Sequence, residues 1–300
     1  MKLNNLLVRT VSGIGFVTII LGSIFLGSIS YFILFSILSV ASLLEFYYII
    51  KKNREIKPQV FLATSITILV FVLTFLNAIG YISSSIILAI IPLTSLIFIN
   101  EVISFSKRSL SNISYTFLGL IYTTIPFSLT NYIVFSNNNV SNEMNKMFSF
   151  YTDDLLFSLQ PSVDINYHPE NLISIFLLIW IFDSFSYIWG ITIGRHLLIP
   201  KISPKKTWEG FWGGTISTFL FAFLFSKWVH SFTTSQWLIL AFIVVFFGTF
   251  GDLTESLFKR SLHIKDSSKI IPGHGGILDR FDSFLMILPV YFFYFSIIKI

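Results

Sequence analysis

The chain has 300 residues, of which 54% are hydrophobic and only 12% charged, with a formal charge of +5 and a mean hydropathy of +0.79. So little polar surface cannot dissolve a globule of this size, which excludes an ordinary soluble domain and points to an integral membrane protein with many spans. Cysteine is absent, which excludes disulfides, thiolate nucleophiles and Cys-ligated metals, and no basic arm or module is present to bind nucleic acid.

Segments able to cross a hydrocarbon core of roughly 30 Å fall first near 10–27, 31–50, 59–79, 82–100 and 111–135, giving an N-terminal transmembrane region 1–135. Lys2 and Arg9 precede the first span as in a signal peptide. No A-x-A site follows and the second span starts at once, so the first is read as an anchor. Glu45 and Glu101 lie near span ends and are read as snorkelling or interfacial. The stretch 136–170 is rich in Asn and Ser, with Lys146 as its single Lys or Arg, and is read as an exported polar loop. Spans near 171–193, 211–229, 236–254 and 283–299 complete a C-terminal catalytic region, 171–300. With the N-terminus inside, all of the 20 Lys and Arg except Lys146, Lys227 and Lys299 fall on the cytoplasmic side. The expected fold class is an all-α polytopic membrane protein with about nine transmembrane helices, N-in and C-out.

The polar residues of the C-terminal region fall into three groups. Asp183 lies deep in its span, where an acid is expensive unless it functions or pairs. Two readings stay open: a functional carboxylate, or a structural contact with Ser184, Ser186 or Tyr187. The cytoplasmic run Ser203-Pro204-Lys205-Lys206-Thr207-Trp208-Glu209-Gly210 reads as a topology signal or as a lysine pair gripping phosphate, and the tight Pro-to-Gly spacing favours phosphate. Farther on, Asp252, Glu255, Ser256 and Lys259 stand at i, i+3, i+4 and i+7, so a helix would carry them on one face. Asp252 directly follows an apolar run, where an ionised carboxylate calls for a partner or a metal.

Between Ser256 and Asp282 the chain concentrates Lys, Arg, Asp and His. The glycines around His274, Gly275 and Gly276 let backbone N–H groups converge on an anion. Asp279 and Asp282 stand three apart at a helix start and repel each other unless a cation lies between them, pointing to Mg²⁺ held by oxygen ligands. His168, His196 and His230 have no companions at metal spacing, and His263 and His274 do not suggest a zinc site.

The run S-x-F-K-R-x4-K-D-x-S-x2-I-P-x-H-G-G-I-x-D-R-F-D, Ser256 to Asp282, resembles the signature of the phosphatidate cytidylyltransferases, the CDP-diacylglycerol synthases. The Asp183 segment and SPKKTWEG with Gly213-Gly214 are similar to that family's upstream blocks. The resemblance implies transfer of CMP from CTP to phosphatidate, with diphosphate released, in a bilayer and dependent on Mg²⁺, with room for a second cation. It implies metal ligation by Asp252, Asp279 and Asp282, and catalytic neutralisation of phosphate charge by Lys259, Arg260 and Arg280. Substrate contacts are expected at Asp183, Ser203, Lys205, Lys206, Thr207, Ser256, Lys265, Asp266, His274, Gly275 and Gly276. The partners are then CTP, phosphatidate and the lipid bilayer, with a homodimer as one arrangement and a bacterial plasma membrane as the location. A CTP-dependent lipid kinase would match the full pattern incompletely. An ion-coupled transporter using Asp183 would leave the HGGxxDRxD run unexplained.

Overall fold

The computed structural model describes residues 2–53, 55–135, 167–229, 231–262, 264, 267–268, 270–271 and 275–298, without the side chains of 2–9 and 298. Lys265, Asp266, His274 and nearly all of the 136–170 loop lie outside the described residues. The chain divides into two compact units, Met1–Pro169 with Phe292–Ile300, and Glu170–Tyr291.

The first unit contains α1 (Lys2–Phe25), α2 (Ser28–Ile50), α3 (Val60–Ala78), a 3₁₀ turn (Ser84–Ala89) continuing into α4 (Ile90–Ser104), and a rod made of α5 (Ser109–Gly119), a wide π turn (Leu120–Thr124) and α6 (Ile125–Val134). Pro126 offers no N–H, and the wide turn falls immediately before it, where the helical ladder must be interrupted. Buried aromatics hold these helices together: Tyr31, Phe35, Phe71 and Phe127 are almost fully enclosed. The Tyr31 hydroxyl meets Thr130 Oγ1 at 2.5 Å and donates to Asn131 Oδ1 at 3.1 Å, while Asn131 Nδ2 donates to Thr74 Oγ1 at 2.9 Å. Backbone and side-chain polar groups are thus satisfied internally, as an apolar surround requires. Glu45 and Glu101 are buried, each 4% exposed, which corrects the expectation of interfacial side chains. For Glu101 the reason is visible, since two neutral amides donate to its carboxylate.

The second unit contains α7 (Pro169–Ile193), a hairpin of β1 (Leu197–Ile199) and β2 (Ser203–Thr207), α8 (Trp208–Trp228), α9 (Thr234–Ser261) and the start of α10 (Leu278–Ile298). The strands pair antiparallel, Leu197 with Thr207 and Ile199 with Ser203, with an irregularity between the two pairs. Helix α9 opens on a capping box of Thr233 and Gln236. Helices α7 and α8 approach closely because Gly213 and Gly214 have no side chains; a Cβ at either would run into Trp189 or Ser186. Phe176 of α7 stacks on Phe284 of α10 at 4.6 Å, and Phe281 meets it edge-on at 6.2 Å.

Among the described residues, seven helical rods are long and apolar enough to cross a membrane: α2, α3, Ser84–Ser104, Ser109–Val134, α7, α9 and α10. The chain is an all-α polytopic membrane protein apart from its small hairpin. Two of the nine expected spans fall short of that measure. The apolar part of α1 is only Thr10–Phe25, and α8 is diluted by Gly, Ser, Thr and Lys227.

Candidate active site

Helix α9 does not stop at residue 254 but continues to Ser261, so Asp252, Glu255, Ser256 and Lys259 do share one helical face. Helix α10 begins at Leu278, five residues before the expected span, and so includes both Asp279 and Asp282. What joins the two helices is Gly251. A Cβ there would stand 2.5 Å from Asp282 O and 2.7 Å from Ser283 Cα, so only glycine lets the backbones touch. That contact sets Asp252 beside Asp282. Carboxylate oxygens of Asp252, Glu255 and Asp282 lie within 4.8 Å of one another.

Glu255 is 1% exposed; Lys259 pairs with its Oε2, and Oε1 is buried with no hydrogen-bond partner. A buried acceptor without a donor is costly. Three carboxylates with one oxygen lacking a partner fit a hard cation that prefers oxygen ligands. Sequence reasoning placed Glu255 on the right face but gave it no role. The missing signal was burial, since a residue near the end of a helix leaving the membrane is expected to be solvated.

Asp279 is engaged differently. Its Oδ1 accepts from Lys259 Nζ at 2.8 Å, and its Oδ2 accepts from Ser267 N at 3.0 Å, Ser267 Oγ at 2.9 Å and Gly276 N at 2.8 Å. These donors occupy most of the lone pairs a carboxylate has. Asp279 therefore staples the segment before α10, with Gly275 at φ +88° turning the chain toward it. Ile271 N donates to Gly275 O at 2.9 Å, closing the loop on itself. The expectation of a cation shared by Asp279 and Asp282 meets a different geometry: Asp282 joins Asp252 and Glu255, while Asp279 is one ion pair away through Lys259.

The hairpin supplies the cation on the other side. Successive side chains of a strand point to opposite faces, so the two lysines separate. Lys206 forms an ion pair with Asp252, whereas Lys205 is exposed. Burial alone would push the Lys206 ammonium toward neutrality. The charge and hydrogen bond of Asp252 outweigh that, helped by Asp183 and Asp282, and raise its pKa above the ordinary lysine value. Asp183 is exposed, with Lys206, Asp252 and Arg280 as its charged neighbours. Among the described residues it makes no hydrogen bond to Ser184, Ser186 or Tyr187, so the structural reading of this acid has no contact to support it.

Several other expected contacts have local duties. Thr207 caps α8, its Oγ1 accepting from Gly210 N at 3.2 Å. Arg260 is exposed and donates from Nε to Ile202 O at 3.4 Å, tying α9 to the hairpin turn. Ser203 pairs with Ile199 in the hairpin, and Ser256 is half-buried on α9. Glu209 accepts from His196 Nδ1 at 2.6 Å and from Arg195 N at 3.0 Å, contacts that hold its pKa down to about 2 and clasp the hairpin to the start of α8.

Fold and site together define a polytopic helical membrane protein whose helix ends and one hairpin gather carboxylates and lysines around an opening suited to a cation and phosphates. The sequence profile of the cytidylyltransferase family matches residues 7–298, and the chain belongs to that family. Over 117 residues it is 48% identical to the phosphatidate cytidylyltransferases of Staphylococcus saprophyticus and Staphylococcus epidermidis, and 46% identical to that of Staphylococcus aureus. The matched stretch covers 38% of this chain and 45% of each relative, so it spans under half the length of those proteins.

Proposed function

We propose that the chain transfers CMP from CTP to phosphatidate, giving CDP-diacylglycerol and diphosphate, with its site on the cytoplasmic side of a bacterial plasma membrane. The observation that carries the reading is the charge balance of the site. Asp183, Asp252, Glu255, Asp279 and Asp282 face Lys206, Lys259 and Arg280. With all groups ionised, five negative charges against three positive leave two, which one divalent cation would neutralise. Asp252, Glu255 and Asp282 would hold Mg²⁺, with Asp279 entering the set if Lys259 released it. A cation bound there would supply charge neutralisation to phosphate oxygens.

The protein's remaining work is positioning and electrostatics. A phosphatidate oxygen forms a bond to the α-phosphorus of CTP as the bond to the diphosphate oxygen breaks. Lys206 sits close enough to the acids to orient the nucleotide phosphates, and Lys259 and Arg280 can receive the charge that builds on diphosphate. All of these residues come from Glu170–Tyr291, so one chain suffices and no second copy has to complete the site. The names of the relatives and the excess of Lys and Arg on one side of the threading support substrate and orientation. The test is CTP labelled in both cytidine and γ-phosphate. Cytidine label in the lipid product is the expected result; γ-label alone would mean a lipid kinase and would overturn the reading.

A further inference from the structure

Within the first unit a cavity of about 1150 Å³ opens between the segment joining α2 to α3 and the segment joining α4 to α5. Each of these helices belongs to a rod able to cross the membrane, so their connections, and the cavity, lie at its surface. The volume is on the scale of ligand sites.

Its floor is built from buried polar side chains. Gln59 Nε2 donates to Glu101 Oε2 and to Ile97 O, both at 2.9 Å, and Asn112 Nδ2 donates to Glu101 Oε1 at 2.8 Å and to Ser106 Oγ at 2.9 Å. Asn112 Oδ1 in turn accepts from Lys57 N at 2.7 Å. One atom is left over: Gln59 Oε1 is buried with no hydrogen-bond partner. It is an acceptor, so the floor lacks a donor. The rim has the opposite need. Arg108 pairs with Glu55, but among the described residues Lys57 and Lys107 have no ion-pair partner and both are exposed. Two uncompensated ammonium groups above a floor short of one donor complement an anion that carries a hydroxyl.

We propose that this cavity binds a phosphate ester with a free hydroxyl, its phosphate between Lys57 and Lys107 and its hydroxyl donating to Gln59 Oε1. A phosphoglycerol group has this chemistry, whether as a lipid headgroup or as a soluble ester. None of these residues belongs to the carboxylate site, so the inference stands or falls independently of the proposed reaction.

The full chain, purified in detergent and stripped of lipid, would be titrated with phosphatidylglycerol and, in a second arm, with glycerol 3-phosphate, with phosphatidylcholine as the control lipid. Bound lipid is read by native mass spectrometry and bound ester by calorimetry. Saturable phosphatidylglycerol binding, at least tenfold weaker in the double variant Lys57→Gln/Lys107→Gln and weaker in Gln59→Leu, identifies a lipid headgroup. Glycerol 3-phosphate binding with the same variant pattern identifies a soluble ester. The lysine variant replaces exposed side chains and keeps the test valid if Gln59→Leu misfolds. Binding of neither probe, or equal binding by wild type and the lysine variant, would overturn the proposal.

Discussion

Replacing Lys206 and Lys205 separately by Met tests the hairpin's role most sharply, because the two lysines are neighbours with opposite surroundings. Lys206 pairs with Asp252, the side chains being 34% and 25% exposed. A contact pair at an effective dielectric near 20 is worth about 4 kcal/mol, and in bulk water about 1 kcal/mol. Partial exposure puts this pair between those limits, at about 2 kcal/mol, or roughly a 30-fold effect. Lys206→Met should therefore lower kcat/KM for CMP transfer from CTP to phosphatidate by at least about 30-fold, and leave Asp252 facing Asp282 with no ammonium beside it. Lys205→Met should stay within about twofold, as exposed substitutions do. Both variants would be purified, checked for monodispersity and assayed in mixed micelles, with each substrate varied in turn. Equal losses in the two variants, or an unimpaired Lys206→Met, would refute the assignment of Lys206 alone to the site.

Glu255→Gln should raise the Mg²⁺ concentration needed for half-maximal activity at least tenfold, whereas an unchanged requirement would remove Glu255 from the cation site. Asp279→Asn should abolish turnover while the protein still inserts, and should make the segment before α10 easier to cleave by protease because Lys259 and Ser267 lose a charged acceptor; normal turnover with unchanged protection would count against the staple. Gly251→Ala should cost about 1–3 kcal/mol by forcing two backbones apart and should lower both melting temperature and activity; an unchanged Tm would mean the helices do not touch there. Because the chain has no cysteine, single cysteines report topology cleanly. Asn138→Cys should react with an impermeant reagent on intact cells and Lys201→Cys only after the membrane is opened, the reverse pattern contradicting the cytoplasmic site.

The helices were legible because hydropathy over 20 residues is a strong signal, and the α9 face because its polar residues recur at helical spacing. Two features needed three dimensions. Asp279 and Asp282 look equivalent as a pair at a helix start, yet the Gly251 contact draws Asp282 to α9 while Ser267 and Gly276 capture Asp279. Lys205 and Lys206 look like one basic step until a five-residue strand, opening with Ser203 and Pro204, turns one inward and the other out. No hydrophobic alternation marks so short a strand, and its existence depends on pairing with Leu197–Ile199.

The π turn at Leu120–Thr124 bears on how this rod tolerates insertions and deletions. A wide turn holds one residue more than the surrounding α-helix needs, so removing any one of these five would restore a regular ladder at that point. The same deletion would rotate everything after it by about 100° and draw it back by about 1.5 Å. Thr130 and Asn131 would swing away from Tyr31, and the clasp between α2, α3 and α6 would open. A shorter and locally more regular chain would thus be a worse fit, and the extra residue acts as a phase adjuster between the two halves of one rod.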